Sequence, residues 1–340
     1  MAEYRKEGIT LIIQFIQSLY NNPSTIPIKS TDYEQLLEDI EFFSISAQIY
    51  HLLKKHNLLN QTPHFFQEKL KNNCTNVLYR NIFIKSEWEK ITSLFEESEI
   101  ATIPLKGVTF AEKYFRDLGA RSTSDIDILI RPPNINQATS ILQSLGFIIE
   151  QDLIPSHFHC SFSKNLPNST IPLTVELHWN IMREDTASLD IEDFWREAQP
   201  LKHYHSIFEL SDYHTFYMIC LHGWRHNLDS LKYFIDIMQL IYVIGDKVDY
   251  HKLFQDAISD QTYTRLVRTL SIVYNQFPEL HRIKKFGLSK PTPRWEYRNI
   301  RYPKNRNINR YVDFIDYQFF SFDKIKHSFV EMRNIIIPLK

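Results

Sequence analysis

Arg121-Ser-Thr-Ser-Asp-Ile-Asp-Ile-Leu-Ile-Arg131 is the stretch whose reading decides the fold. Ile126, Ile128, Leu129 and Ile130 surround Asp125 and Asp127, and so aliphatic a run predicts a strand. Residues two apart on a strand face the same side, so the two carboxylates stand together. Asp is depleted from strand interiors, and a buried charge is costly unless paired. Such a pair calls for a cation between its members or for one raised pKa. The expectation is a divalent-metal site for phosphoryl chemistry.

Working upstream, Ile100-Ala-Thr-Ile-Pro-Leu105 reads as a short strand followed by Lys106-Gly107, and Thr109 to Tyr114 as a helix start. Gly119 and the polar Ser122-Thr-Ser124 lead into the acidic strand. Downstream, Pro132-Pro133 ends it, and Ile135 to Leu145 reads as a helix closed by Gly146. An extended run from Phe147 to Glu150 follows. His157-Phe-His-Cys-Ser-Phe162 and Leu173-Thr-Val-Glu-Leu-His-Trp179, separated by a polar turn at Asn165–Thr170, read as a hairpin. This order predicts an α+β fold, a small mixed β-sheet with helices packed on it.

The flanks read as helical. Leu36, Leu37, Ile40, Phe43, Ala47, Tyr50 and Leu53 follow helical spacing, as do Phe83, Trp88, Ile91, Leu94 and Phe95, with Pro23, Pro27 and Pro63 between segments. Helical spacing returns from Ser211 to about Gln276, with a turn at Asn227–Ser230. The predicted organisation is an N-terminal helical module at 1–98, the α/β core at 99–210, a helical module lining the cleft at 211–280, and a basic, aromatic segment at 281–340.

Composition narrows the function. A net charge of −1 gives no global argument for nucleic acid or membrane. Only 7 glycines in 340 residues argue against Rossmann or P-loop binding, which need glycine-rich turns. Cys74, Cys160 and Cys220 are far apart and odd in number, so neither a disulfide framework nor a cysteine zinc ribbon follows. No apolar run is long enough to span a bilayer, and the start Met-Ala-Glu-Tyr-Arg-Lys does not open a signal peptide, so the cytoplasm is expected.

Glu176 lies mid-strand between Val175 and Leu177 and shares a face with Thr174 and His178. If its strand neighbours the acidic one, Asp125, Asp127 and Glu176 converge. Carboxylates completed by water and phosphate are how proteins hold Mg²⁺, and such ions can bridge a nucleotide's phosphates. The alternative is a row of solvated polar positions on a half-exposed sheet. The stretch Arg282–Arg310 holds ten Lys or Arg against Glu296, interleaved with Trp295, Tyr297 and Tyr302. It reads as a solvated basic face, with peripheral membrane contact as an alternative; nucleic-acid binding is not predicted.

Leu105-Lys-Gly107, then Arg121–Arg131, then Val175-Glu-Leu-His-Trp179 resemble the uncharacterised bacterial nucleotidyltransferase family of the polymerase-β-like superfamily. The resemblance implies that Asp125, Asp127 and Glu176 bind Mg²⁺ or Mn²⁺. It also implies that Gly107 lets the backbone approach a triphosphate, helped by the N-terminus of the next helix. Lys106, Val108, Arg121 and Ser124 would border the nucleotide, with Arg121 bracing the loop or a phosphate. Two positions depart from the pattern: Val108 stands where the superfamily has Gly or Ser, and Glu176 where Asp is more usual.

His222, His226, Lys232 and Asp236 resemble the helical motif that follows the catalytic module in that family. His222 and His226 share a helix face. With His178 they could bind zinc, but no Glu adjoins them as in a metalloprotease motif. The expectation is that they face the cleft, where an imidazole accepts a proton from the acceptor or binds phosphate; a structural role is the alternative. His157 and His159 share a strand face and read as structural.

The expected activity is therefore Mg²⁺-dependent transfer of NMP from an NTP, with ATP expected, to a hydroxyl or phosphate of a small-molecule, peptide or protein acceptor. Two alternatives stay open: a non-catalytic, antitoxin-like relative that senses nucleotide or binds a partner, and a metal-dependent phosphohydrolase.

Overall fold

A computed structural model describes residues 10–21, 24–151, 157–166, 171–287, 295–302 and 308–336. The opening Met1–Lys6, Pro23, the Pro167–Thr170 part of the polar turn, and Lys290, Pro291, Pro293, Arg294, Pro303, Lys304 and Arg306 of the basic stretch lie outside them.

The chain begins with α1 (Leu11–Tyr20), α2 (Tyr33–Phe42), α3 (Ser46–Lys55) and the long α4 (His64–Glu97). The helical spacing from Leu36 to Leu53 divides into α2 and α3 at Ser44, whose φ of 54° ends the first helix. No Gly or Pro interrupts the 34 residues of α4, which start directly after Pro63. That length lets α4 serve two cores. Phe66 and Leu70 enter one shared with α1–α3, whereas Ile84, Trp88, Ile91 and Phe95 enter another under the sheet.

After α4 come β1 (Thr102–Pro104), the single α-turn α5 (Val108–Phe110), β2 (Asp125–Ile130), α6 (Ile135–Ser144), β3 (Ile148–Gln151), β4 (His159–Lys164) and β5 (Leu173–His178). The helix expected over Thr109–Tyr114 is α5 continuing as a π-turn over Ala111–Phe115, which Arg116 closes with a φ of 58°. The sheet order is β1-β2-β5-β4-β3. β2 and β5 run parallel, and the other neighbours run antiparallel, including the expected β4–β5 pair. It is a mixed sheet in an α+β fold flanked by helices.

Strand alternation sorts the residues between the faces. Ile126, Ile128, Ile130, Cys160, Phe162, Leu173, Val175 and Leu177 pack onto α4 and α6. Each such fully buried aliphatic or aromatic side chain contributes about 1.5–3 kcal/mol. The opposite face carries Asp125, Asp127, His159, Ser161, Thr174, Glu176 and His178.

The second helical half comprises α7 (Ile191–Arg196), α8 (Asp212–Arg225), α9 (Leu231–Ile244), α10 (Tyr250–Ser259) and α11 (Tyr263–Gln276), and α8 lies over that polar face. Side-chain caps from Asp190, Ser211, Ser230 and Asp249 start α7, α8, α9 and α10. Asn227 and Leu228, both with positive φ, form the expected turn between α8 and α9. Phe234, Met238 and Leu270 share a core with Phe15, Leu36 and Leu53, so the helices before and after the sheet close on each other.

Shorter helices α12 (Tyr297–Arg301), α13 (Ile308–Ile315) and α14 (Ile325–Ile336) end the chain. Arg268 of α11 binds Asp313, Asp316 and Asn227, and Trp295 donates to the Asn227 carbonyl. These contacts clamp the α8–α9 turn. Trp295 and Tyr297 are buried in the helical core, which corrects their expected place on a solvated basic face; Tyr302 is exposed. Among the described residues, no helix is long and apolar enough to cross a membrane.

Candidate active site

Parallel pairing of β2 with β5 sets Asp127 opposite Glu176 and Asp125 opposite Thr174. In a parallel ladder, opposed residues point to the same face, so the three acids lie on one side of the sheet. Leu105, Lys106, Asp125, Asp127, Glu176, His178, His222 and His226 line one cavity of about 160 Å³, roofed by Met218, Leu221 and Arg225 of α8.

Lys106 reaches this cluster from the end of β1. Its Nζ lies 3.1 Å from Asp125 Oδ2 and 2.8 Å from Asp127 Oδ2. Burial alone would lower the Lys106 pKa, but the Asp127 and Asp125 carboxylates outweigh it and raise it. Lys106 therefore sits on the two acids.

His178 approaches from the other side, its Nε2 3.3 Å from Asp127 Oδ1 and 3.1 Å from Glu176 Oε2. Burial would keep its ring neutral, yet the two carboxylates raise its pKa. Burial would likewise raise Asp127 and Glu176; Lys106 and His178 hold Asp127 below its usual range, and the His178 bond does most to bring Glu176 down to about 2. His159 stacks on His178 with ring centroids 5.1 Å apart, and burial with His178 beside it lowers its pKa to about 4.

The donor set fits a divalent ion. Asp127, Glu176 and His178 each offer a ligand atom, all within 4.8 Å of one another. Two carboxylates and an imidazole suit Mn²⁺ and its neighbours, and Mg²⁺ where oxygens complete the shell. His178 joins Asp127 and Glu176 in this trio, and Asp125 Oδ2 lies 3.1 Å from the Lys106 ammonium.

Gly107 has φ +87° and ψ −137°, a conformation that only glycine adopts at low cost. The Val108 side chain points into the core beneath the sheet, which is why an apolar residue follows the glycine. Ser124 Oγ lies 3.3 Å from Asp125 Oδ1. Arg121 is not at the cavity: its guanidinium is buried in a two-bond pair with Asp236 of α9 and braces the loop before β2.

His222 and His226 do face the cavity, as expected, and both pack on Tyr233, His226 in a stack at 4.9 Å. Burial, then Arg225 and Lys106, lowers the His226 pKa to about 4; burial, with Lys106 and His226, lowers that of His222 well below its usual value. Both rings are therefore neutral near pH 7. Lys232 of α9 is not among the residues that line the cavity; burial with Arg121 beside it lowers its pKa to about 8.

Two contributors escaped the sequence reading. Asn81 of α4, fully buried, donates to the carbonyls of Leu118 and Arg121 and accepts from Thr123 N–H, which fixes the loop into β2. Nothing local marks an Asn on a polar helix stretch for this. Arg225 lies over the Phe158 ring at 4.6 Å at the cavity edge; its place directly before His226 was the available signal.

The family model described as an uncharacterised nucleotidyltransferase matches residues 29–274, which spans α2 through α11. No curated protein and no solved structure matches the chain.

Proposed function

The chain belongs to the uncharacterised nucleotidyltransferase family, and from that premise we propose that it transfers a nucleotidyl group from an NTP, with ATP expected, to a hydroxyl or phosphate of an acceptor. The observation that carries this reading is the register of Asp127 against Glu176, which with His178 gathers acids and an imidazole beneath a cleft. A bound Mg²⁺ or Mn²⁺, held by Asp127, Glu176 and His178, would supply charge neutralisation at the phosphates.

The chain's own residues do the remaining work by positioning and electrostatics. Asp127 and Glu176 fix the charge of the site, and Lys106 offsets the charge of Asp125. Gly107 keeps the loop free of a side chain where a triphosphate would approach. Arg225 and Lys232 supply further positive charge around the cavity, and neutral His222 and His226 stand ready as proton acceptors for the acceptor's hydroxyl. The acceptor is a small molecule, peptide or protein, and the cytoplasm, where NTPs are abundant, is the compartment this implies. Pyrophosphate release from ATP with Mg²⁺ or Mn²⁺, screened over candidate acceptors, tests the reading. Release that needs an acceptor supports it; phosphate release with water alone would instead identify a phosphohydrolase.

A second reading rests on Lys106. An ammonium already seated between two acids suits a relative that binds nucleotide without turnover. Calorimetric binding of ATP without pyrophosphate release under any acceptor would favour it.

A further inference from the structure

Asp127 presents its two oxygens to two different partners. Oδ2 lies 2.8 Å from the Lys106 ammonium, which also reaches Asp125 Oδ2 at 3.1 Å. Oδ1 lies 3.3 Å from His178 Nε2, which is 3.1 Å from Glu176 Oε2. One carboxylate thus separates two cation positions. Two-ion phosphoryl-transfer sites place their ions about 3.5–4 Å apart. Here one of the two positions holds a tethered monocation instead.

Lys106 is well fixed there. Its side chain is 16 % exposed, and its backbone carbonyl accepts a bond from Thr109 Oγ1. The preceding Leu105 is buried, and Gly107 sets the turn immediately after it. A divalent ion between Asp125 and Asp127 would have to displace the ammonium and then sit close to it in a half-enclosed cavity, where like charges are poorly screened. An ion on the Oδ1 side has no tethered ammonium to displace, and there the ligand atoms of Asp127, Glu176 and His178 all lie within 4.8 Å of one another.

We propose that the site binds one divalent cation, at Asp127, Glu176 and His178, and that Lys106 takes the place of the second ion between Asp125 and Asp127. The inference rests on the metal reading of this site and is independent of which group is transferred. It makes Lys106 a positioning residue for the acids and gives Asp125 a role through Lys106.

Mn²⁺ titration of the full chain, with free ion read by electron paramagnetic resonance, tests this without any activity assay. The wild type should bind one Mn²⁺ per chain. Lys106→Arg and Asp125→Asn should also bind one, since the first keeps the tethered charge and the second removes no ligand. Lys106→Met should bind two, and Lys106→Met with Asp125→Asn should return to one. Two ions in the wild type, or loss of the single ion in Asp125→Asn, would overturn the inference and leave the metal reading standing. A single ion in a folded Lys106→Met, checked by circular dichroism, would also overturn it. No bound Mn²⁺ in the wild type would overturn the metal reading along with it. Should Lys106→Met fail to fold, the wild-type and Asp125→Asn counts still decide.

Discussion

Arg121 and Asp236 meet through two parallel hydrogen bonds, Nε to Oδ1 and Nη2 to Oδ2, each 2.8 Å long. The pair joins the loop that enters β2 to α9, and both residues are almost fully buried. A buried ion pair is weak evidence for net stability, but removal of one partner leaves a charge stranded. Arg121→Met should therefore cost about 3–5 kcal/mol in urea unfolding. Arg121→Met with Asp236→Leu should cost much less than the two single changes added together. Additive costs would mean that the two side chains do not act as a unit.

Asp125 and Asp127 are expected to respond differently to the same change. Asp127 is buried between Lys106 and His178, whereas the Asp125 side chain is 28 % exposed. Asp127→Asn should lower stability by about 1.5–3 kcal/mol, the worth of hydrogen bonds to a charged group, while Asp125→Asn should be close to neutral. Both should reduce pyrophosphate release at least about 100-fold, on the scale of a lost electrostatic group in an active site. Chemical denaturation alongside the release assay separates the effects. Equal stability losses would contradict the burial argument.

The sequence showed the acids, and the structure shows what they face. Alternation along β2 and β5 follows from local composition, so Asp125, Asp127, Glu176 and His178 could be assigned to strand faces before any pairing was known. The pairing itself joins residues about fifty apart, and no local pattern encodes it. The same holds for Arg121 with Asp236, which lie 115 positions apart, and for Asn81 with Arg121. Lys106 shows the limit most clearly. The resemblance implied a place for it beside the nucleotide, whereas its direction toward Asp125 and Asp127 depends on the antiparallel register of β1 against β2, which brings Pro104 opposite Ile128. The sequence also could not show that Trp295 and Tyr297 of the basic stretch turn inward, because aromatic residues suit a core as well as a surface.

Gly107→Ala should reveal how tightly the loop is held. At φ +87° a Cβ is strained wherever it points, and here it would also meet Thr123 Cγ2 at 3.4 Å and Asp125 O at 3.5 Å. The strain should cost about 1–3 kcal/mol. Because the loop borders the proposed path of the triphosphate, the variant should bind ATP more weakly as well as melt earlier. Differential scanning fluorimetry with and without ATP measures both. Wild-type melting would show that the loop relaxes without cost.

Lys232 offers a pH test of the cleft. Burial first, then Arg121 and Lys106, lowers its pKa to about 8, against the pull of Asp236 and Asp125. Below that pH the ammonium is charged and attracts a polyanion; above it the amine is neutral. Affinity for a non-hydrolysable ATP analogue should therefore fall about tenfold or more as pH rises from 7 to 10, the scale of one charge-assisted bond. A bound triphosphate favours the charged form, so the midpoint should lie above 8. Lys232→Arg should hold its affinity across the range, and Lys232→Met should be weak throughout. Stability should move the other way. Between about 8 and 10.4 the unfolded lysine keeps a proton that the folded one has released, so the unfolded state binds more protons and stability rises with pH. Lys232→Met should remove that slope and unfold later than the wild type at pH 7. An unchanged pH profile for ATP binding in Lys232→Met would place the titrating group elsewhere and remove Lys232 from the nucleotide site.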